Sequence, residues 1–294
     1  MTDLTHPVAV MATPNAVPAR RLSASFPRSP AVIASMIMLA VLVTAAAFAP
    51  LVAPHDPEQS YFDALRAAPS LRFPFGTDAL GRDILSRVIY GARISLSAGL
   101  LTTLLALGLG TVLALLASMG PRPIEVLILR AIDMLLAFPS FLLALAVVAV
   151  LGPGLQNALL AVAVSLVPGY VRTVRSLCLG IKSRDFIDAA RILGASRSSI
   201  AVHHILPNIM GSLIVLLTLG IALVTLEVSA LSFVGLGARP PAAEWGAMLT
   251  EARDYLSEAW WMAAFPGLAI TITVLSINVI GDWLRDVFDP RAKS

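Results

Sequence analysis

Ionisable side chains are scarce in this chain, and one patterned group of them lies in "DFIDAARILGASRSSIAVHHILPN", residues 185–208. Its acids and arginines are spaced three and four residues apart, a spacing that forms ion pairs along a helix. His203 and His204 are adjacent, so they point in different directions on a helix and make a poor metal pair, and no HExxH motif accompanies them. The stretch therefore indicates a surface that contacts something else, and no metal site is expected.

A second polar segment is "GTDALGRD", residues 76–83, which looks at first like a glycine-rich phosphate loop. It lacks the Walker spacing of Gly-x4-Gly-Lys-Ser/Thr, so phosphate binding is not expected. Two interpretations stay open: a salt-bridged amphipathic segment at the outer membrane interface, or a contact surface for a protein partner. The residues concerned are Asp78, Arg82, Asp83 and Arg87.

A third candidate is the single carboxylate Glu227, which stands in the middle of an apolar run. A charge at the centre of a bilayer costs roughly 2.5–3.5 kcal/mol on insertion scales and usually lines a cavity or is paired. Glu227 is therefore a candidate either for a transport pathway or for hydrogen-bonded packing. Three tryptophans, Trp245, Trp260 and Trp261, are expected at the outer interface as an aromatic belt, with Trp245 a further interface candidate.

Composition places these residues in a membrane protein. The chain has 294 residues, of which 57% are hydrophobic and 13% charged, whereas soluble domains are about a quarter charged. The formal charge of +3 is too small to indicate a nucleic-acid surface. The single cysteine, Cys178, excludes an intramolecular disulfide and a cysteine-based metal cluster, and it is expected to be a small packing residue in a helix.

Six apolar runs are long enough to cross roughly 30 Å of hydrocarbon. The first is too long for the apolar core of a signal peptide and follows a leader of 29 residues, so we expect it to remain as an anchor. Prolines 139, 168 and 266 are expected to bend helices, and glycines 108, 110, 211 and 220 to let helices approach closely. The predicted spans are 30–53, 94–117, 124–151, 155–178, 209–236 and 261–284.

The distribution of Lys and Arg predicts the orientation. With the N-terminus inside, fourteen of the 21 basic residues fall on the inner side and seven on the outer side, which favours both termini in the cytoplasm. Residues 1–29, rich in Pro, Ala, Ser and Thr, are predicted to be a disordered cytoplasmic tail. On this topology the 185–208 stretch is cytoplasmic.

This stretch predicts a helix, a glycine elbow and a second short helix ahead of Pro207. Gly194 follows the first helical pattern, where glycine commonly adopts the left-handed conformation that ends a helix. The hydroxyl residues of "ASRSS" are expected to cap the second helix. A stiff amphipathic element of this kind suits insertion into a groove of a partner, although an interfacial helix resting on lipid headgroups remains the alternative.

The same stretch resembles the cytoplasmic EAA loop of the membrane subunits of binding-protein-dependent ABC importers. The family pattern is Glu-Ala-Ala, three residues, Gly, and then Leu-Pro; here an aspartate replaces the glutamate and keeps its charge. The resemblance implies that the loop is a coupling helix docked in a cleft of a separate ATPase subunit. The loop residues assigned in this way are Asp188, Ala189, Ala190, Gly194, His204, Leu206 and Pro207.

Three further blocks, 73–100, 231–249 and 266–291, look like signatures of the C-type permease of dipeptide, oligopeptide and nickel importers. The resemblance implies an all-α membrane protein with six transmembrane helices and the MetI-like fold of type I importers. It further divides the chain into the tail, a first helix with a periplasmic segment (30–92), and a five-helix permease core (93–290). In that scheme Asp78, Arg82, Asp83, Arg87 and Trp245 are periplasmic interface candidates.

The implied function is to form half of a translocation pathway, in the bacterial or archaeal inner membrane, for di- or oligopeptides delivered by a solute-binding protein. The implied partners are a homologous second permease, two ATP-binding subunits, that binding protein and membrane lipid. The chain carries no Walker A motif, so we expect no enzymatic activity and no cofactor of its own, ATP and Mg²⁺ being bound by the ATPase subunits. Import of nickel or another small solute by the same machinery is the alternative.

Two other classes fit less well. A secondary transporter should show inverted-repeat halves and charges in several spans, but this chain offers essentially one mid-span carboxylate and no evident repeat. An intramembrane enzyme needs a convergent catalytic set, but Ser165, Ser229, Ser232 and Glu227 have no histidine within a span to act as base.

Overall fold

The computed structural model describes residues 29–288, and the predicted tail lies almost wholly outside the described residues. Within them the secondary structure is helical apart from one isolated bridge between Thr77 and Asp83. The α-helices are α1 (Pro30–Ala47), α2 (Ala49–Val52), α3 (Ile84–Met119), α4 (Arg122–Leu136), α5 (Ser140–Leu151), α6 (Leu155–Lys182), α7 (Asp185–Ile192), α8 (Arg197–Ser199), α9 (Leu206–Phe233), α10 (Trp245–Ala252) and α11 (Trp261–Phe288). Short 3₁₀ turns lie at Phe62–Ala64 and Arg253–Tyr255, and a π-helical segment at Ile200–Ile205.

Five helices are long and apolar enough to cross a membrane, namely α1, α3, α6, α11 and the helix that includes α9. The remaining predicted span, 124–151, is broken into two helices, α4 and α5, which meet at an angle of 94°. The break lies at Pro139, as expected, because proline lacks an amide donor and disfavours helix in the residue before it. The structure confirms an all-α membrane protein.

The bent pair nevertheless makes one crossing. We call the end of the bundle that carries residues 183–206 the loop end and the opposite end the far end. The chain enters α4 from Gly120 at the loop end, where Lys182 bonds to the Ser118 carbonyl; it leaves α5 at the far end, where the amide of Gly154 bonds to Leu236. At about 1.5 Å per residue neither short helix could cover roughly 30 Å alone.

Helix α3 begins ten residues earlier than the predicted span and is 36 residues long. The Asp83 side chain caps it by accepting a hydrogen bond from the Ser86 amide at 3.0 Å. At about 1.5 Å per residue the helix exceeds the hydrocarbon thickness, so its first turns project beyond the membrane. Hydropathy alone missed these turns because Arg87 and Arg93 interrupt the apolar run.

Helix α6 packs against four other helices, α3, α4, α5 and α9. Its Val171, Val174 and Cys178 are fully buried in one core cluster, which confirms the packing role expected for the cysteine. Pro168 lies inside this helix and Pro266 inside α11. Helix α1 lies at the periphery, where it packs on α11 and α3.

Close helix approach depends on particular glycines. A Cβ on Gly110 would lie 2.6 Å from Cβ of Tyr170, and one on Gly220 would collide with the Tyr170 hydroxyl. A Cβ on Gly211 would meet the Phe288 ring. The expectation was wrong for Gly108, because nothing lies within 4 Å of its Cβ position and the residue sits on the exposed face of α3.

We predict that Gly110→Val destabilises the protein, whereas Gly108→Val on the same helix does not. The first change forces α3 away from α6, and overpacking of this kind typically costs about 1–3 kcal/mol. The measurement is the apparent melting temperature of each full-length variant in detergent. Equal melting temperatures would contradict the close packing of α3 on α6.

Candidate functional site

The loop end carries a compact helical element, residues 184–206. Helix α7 begins after the extended residue Arg184. Its Ile187 is buried in the core cluster that contains Val171 and Cys178 of α6, and its Ala190 is also buried. The expected pair between Asp188 and Arg191 is present at 2.7 Å on the exposed side. Burial of one face therefore holds α7 on the spans and leaves its other face open.

Gly194 forms the predicted elbow. Its φ of +85° is in the left-handed region, its amide bonds to the Arg191 carbonyl at 2.9 Å, and Ala195 bonds to Ala190 at 3.0 Å. No atom lies within 4 Å of its Cβ position. The two residues before it, Ile192 and Leu193, are each 86% exposed. The elbow thus presents an apolar tip that none of the residues in the range 29–288 covers.

The second helix differs from the prediction. Ser196 does cap it, accepting from the Ser199 amide at 3.2 Å, but the helix runs on through the π-helical segment into α9. The short helix is therefore an extension of the span. Pro207, which has no amide hydrogen, directly follows the π-helical turns, where the bonding register changes. His204 lies near Phe186 of α7, with ring centroids 6.5 Å apart.

At the far end, two arginines and two carboxylates form a buried ion cluster. Arg82 contacts Asp78 at 2.6 Å and Glu251 at 2.7 Å, and Arg87 contacts Glu251 at 3.1 Å and Asp78 at 3.5 Å. Asp78, Arg82 and Arg87 are at most 4% exposed. The cluster joins the 54–83 segment, the start of α3 and α10.

Asp78, Arg82 and Arg87 are ion-paired as the salt-bridged interpretation expected, whereas Asp83 pairs with neither arginine, and their burial disfavours the contact-surface interpretation. Asp78, Arg82, Asp83 and Arg87 are all buried within the chain, so no partner can touch them from outside. Glu251 was missed, because the four charges near "GTDALGRD" already balance one another and give no sign of a partner 164 residues away. Burial raises the pKa of Glu251, and the two guanidinium groups beside it oppose that rise.

A second polar group, His55, Asp83 and Ser86, lies next to the ion cluster and connects the segment before α3 to the first turn of that helix. Asp83 accepts a hydrogen bond from the Ser86 hydroxyl at 2.6 Å and lies 3.4 Å from Nδ1 of His55. The His55 ring in turn packs against Tyr61 and Phe73. Serine, histidine and aspartate are present together, but the serine bonds to the aspartate and not to the histidine ring, so this is a cap and not a nucleophile.

Trp245 is also internal, which corrects both expectations for it. It is fully buried, and its Nε1 donates to the Val88 carbonyl at 3.0 Å, which attaches α10 to α3. Trp261 is 8% exposed and donates to Thr77, so among the three tryptophans only Trp260, 58% exposed, fits an interfacial belt. Glu244, another residue missed from the sequence, caps α10 through its carboxylate.

Glu227 lies beside the break between α4 and α5. Its Oε1 accepts a hydrogen bond from the Ser140 hydroxyl at 3.0 Å, and the residue is 9% exposed. Its Oε2 has no hydrogen-bond partner among the described residues. Because the carboxylate holds the first residue of α5 against α9, the geometry favours the packing interpretation over a pathway lining.

Metal ligands are not assembled in the described part of the chain. Among residues 29–288, no group of three or more His, Cys, Asp or Glu side chains could hold an ion. His203 contacts the Ser199 carbonyl at 3.2 Å through Nδ1, a local helix contact.

Comparison with known protein families identifies a family of membrane transport proteins, in agreement with the helical bundle and the loop at its end. Residues 106–294 match the family described as "Binding-protein-dependent transport system inner membrane component". The chain belongs to this family. Residues 19–69 also match the N-terminal transmembrane domain of oligopeptide transport permease C, which confirms a C-type permease.

Three relatives extend the match over most of the permease. A di/tripeptide transport system permease from Pseudomonas aeruginosa is 44% identical, over 94% of this chain and 93% of its own. A dipeptide transport system permease from Alkalihalophilus pseudofirmus is 45% identical over 89% and 86%. A glutathione transport system permease from Escherichia coli is 45% identical over 91% and 89%.

We predict that Glu251→Ala strongly destabilises the permease and that Glu258→Ala does not. Removing Glu251 leaves two buried guanidinium groups with one carboxylate, and breaking a buried pair typically costs about 3–5 kcal/mol. Glu258 is 67% exposed and lies 3.6 Å from Arg66, a surface pair of the kind that contributes about 0–1 kcal/mol. Thermal melting of both variants in detergent makes the comparison, and a small change for Glu251→Ala would show that the cluster is dispensable.

Proposed function

We propose that this permease forms half of the translocation pathway of an ATP-driven importer of di- or oligopeptides. The observation that carries the proposal is the apolar tip at Ile192 and Leu193, held on a glycine elbow at the loop end. A partner groove that buries both side chains would gain about 1.5–3 kcal/mol from each. Family membership supplies the class of partner, a separate ATPase subunit.

The docked element is α7 with its elbow. Asp188 and Arg191 lie on its exposed side and offer polar contacts at the rim of such a groove, while Ala189 leaves room for close approach. His204, Leu206 and Pro207 connect the tip to α9, so a push on the tip is transmitted along one continuous helix. ATP and Mg²⁺ belong to the ATPase subunits in this scheme, and the permease itself catalyses no reaction.

The relatives support peptides as the solute. Two of them are named for di- or tripeptides and one for glutathione, itself a tripeptide. None of these three names points to nickel. A solute-binding protein would deliver the peptide at the far end, and a second permease would complete the pathway.

One face of α6 is suited to line that pathway. Gly169, Thr173, Ser176 and Gly180 are exposed along one side of this helix, at spacings of three and four residues. The exposed face of α3 carries leucines and valine instead, as expected against lipid. Small and hydroxyl side chains leave room for a peptide backbone and can hydrogen-bond to it.

The orientation follows from the charges at the loop end. Lys182, Arg184, Arg191 and Arg197 cluster there, which supports a cytoplasmic position for this end by the positive-inside rule. Ala46, near the end of α1, packs at the far end with Ile84, and Phe288 packs against Gly211 at the loop end. Both described ends of the chain therefore lie at the loop end, which we propose to be the cytoplasmic one.

We predict that Gly194→Ala reduces peptide uptake about 5- to 30-fold while the complex still assembles. A non-glycine residue at this φ costs about 1–2 kcal/mol, which lowers the population of the docking conformation by that factor. Gly235→Ala is the matched control, since Gly235 at the far end has the same φ of +85°, equally open surroundings and the same two capping hydrogen bonds. Uptake by proteoliposomes of purified complex, with ATP hydrolysis recorded in parallel, is the measurement. Equal uptake by the two variants would argue against the coupling role.

We predict that Ser176→Cys reacts with a membrane-impermeant thiol reagent, whereas Leu109→Cys does not. Both are placed in a Cys178→Ala background, a change at a fully buried cysteine. Ser176 faces the proposed aqueous pathway, and Leu109 faces lipid. Mass spectrometry after labelling of the complex reports the modified fraction, and modification of Leu109→Cys alone would refute the assignment of the two faces.

A further inference from the structure

Two adjoining cavities lie at the loop end, where the spans finish. The smaller, of about 350 Å³, is enclosed by the last residues of α3 and α6, by the elbow and by the start of the α8–α9 helix. The larger, of about 610 Å³, lies beside the start of α4. Arg197 and Gly120 line both. Their volumes fall in the range of roughly 300–1,000 Å³ that is typical of small-molecule sites.

The cavities are lined by cations. Lys182, Arg191 and Arg197 line the smaller one, which has no acidic lining residue. Arg122 and Arg197 line the larger one, whose single carboxylate, Glu125, is already paired with Arg175 at 2.6 Å. Arg191 is paired with Asp188 at 2.7 Å, but Arg122, Lys182 and Arg197 have no carboxylate partner among the described residues, so the site carries an excess of positive charge.

Two of these cations are held in place by neutral groups. The ammonium of Lys182 donates to the Ser118 carbonyl at 2.6 Å, and Arg197 donates to the Met119 carbonyl at 3.4 Å. Both carbonyls belong to the last residues of α3. Anchoring on carbonyl oxygens fixes the position of each side chain without cancelling its charge. Freely snorkelling side chains at a membrane surface would lack this constraint.

We propose that this basic pocket, defined by Arg122, Lys182, Arg191 and Arg197, binds the phosphate group of an anionic phospholipid. Guanidinium groups suit phosphate oxygens because they donate two hydrogen bonds in a plane. The pocket lies where α3 and α6 end, which is headgroup level for a spanning helix, and basic pockets between spans on the cytoplasmic side recognise anionic headgroups. Free phosphate shares this chemistry and is the other possible source of the ligand.

Occupancy would brace the coupling element. Arg191 and Ala195 belong to the elbow, whereas Lys182 belongs to the rigid end of α6. A phosphate bound between them would join the moving element to the bundle. This consequence, and the assignment to the inner leaflet, rest on the proposed function; the binding itself does not.

The test uses the full-length permease, purified with its co-purifying subunits in uncharged detergent. Melting temperature is followed while phosphatidylglycerol, phosphatidylcholine or inorganic phosphate is added. We expect phosphatidylglycerol to stabilise the wild type in a saturable way and phosphatidylcholine not to do so. In Arg197→Gln and Arg191→Gln the apparent affinity should fall about fivefold for each removed cation.

Two matched variants keep the test decisive. Arg130→Gln removes an exposed arginine of α4 that does not line the pocket, and it should respond like the wild type. Arg197→Lys keeps the charge and should retain more affinity than Arg197→Gln. Should Arg197→Gln fail to fold, Arg191→Gln, on the exposed elbow, carries the comparison.

Each outcome has one meaning. Saturable stabilisation by phosphatidylglycerol that is weakened in the pocket variants supports a lipid site. The same pattern with inorganic phosphate alone keeps the phosphate site and assigns its ligand to the solution. No stabilisation by either ligand, or equal affinity in pocket and control variants, overturns the proposal. None of these outcomes depends on uptake or ATP hydrolysis, so a failure here is separate from a failure of the proposed function.

Discussion

Hydrocarbon does not solvate charge, and the placement of polar groups in this permease follows from that constraint. The ionic groups collect at the two ends of the bundle, and the mid-span carboxylate Glu227 is buried inside the chain against Ser140. At the far end, charge is neutralised internally by two arginines and two carboxylates. At the loop end Arg175 and Arg191 are paired with carboxylates, whereas Lys182 and Arg197 have no carboxylate partner among the described residues. The two ends therefore differ chemically. The far end is ion-paired within the chain, whereas the loop end has groups that remain available to partners.

This difference between the two ends is consistent with the proposed function, in which an ATPase subunit acts on the loop end alone. The far end is held by the ion cluster, by the Asp83 cap of α3 and by Trp245, which join segments distant in the chain. The loop end is held mainly by the buried side of α7, through Ile187 and Ala190. Its apolar tip is not covered by any of the described residues. In the proposed mechanism α7 would follow an ATPase subunit, and the long α8–α9 helix would carry the displacement into the bundle.

The broken span between α4 and α5 is a second consequence of tertiary packing. Pro139 permits a bend, but its size of 94° depends on what surrounds it. Arg172 and Arg175 of α6 bind Asp133 and Glu125 of α4, and Glu227 of α9 holds the start of α5. Helix α4 is thus attached to α6, and helix α5 is attached to α9, so different neighbours set the direction of each half. At the break between the two short helices, some backbone amide and carbonyl groups lose the hydrogen bonds that a straight helix would give them. Such a crossing is therefore stable only when neighbouring helices pack against it.

The sequence by itself determined the class, the number of crossings and the glycine elbow between two helices. Hydrophobic runs report on lipid exposure, and the elbow at Gly194 is a local property of a glycine between two helical patterns. Only the tertiary structure decided the partners of Arg82 and Arg87, the burial of Trp245 and the extra turns at the start of α3. Glu251 lies 164 residues from Arg87, and no local pattern encodes a contact at that separation. Polar groups that satisfy one another look in sequence like surface residues, because hydropathy records what a side chain prefers and not which neighbour the fold supplies.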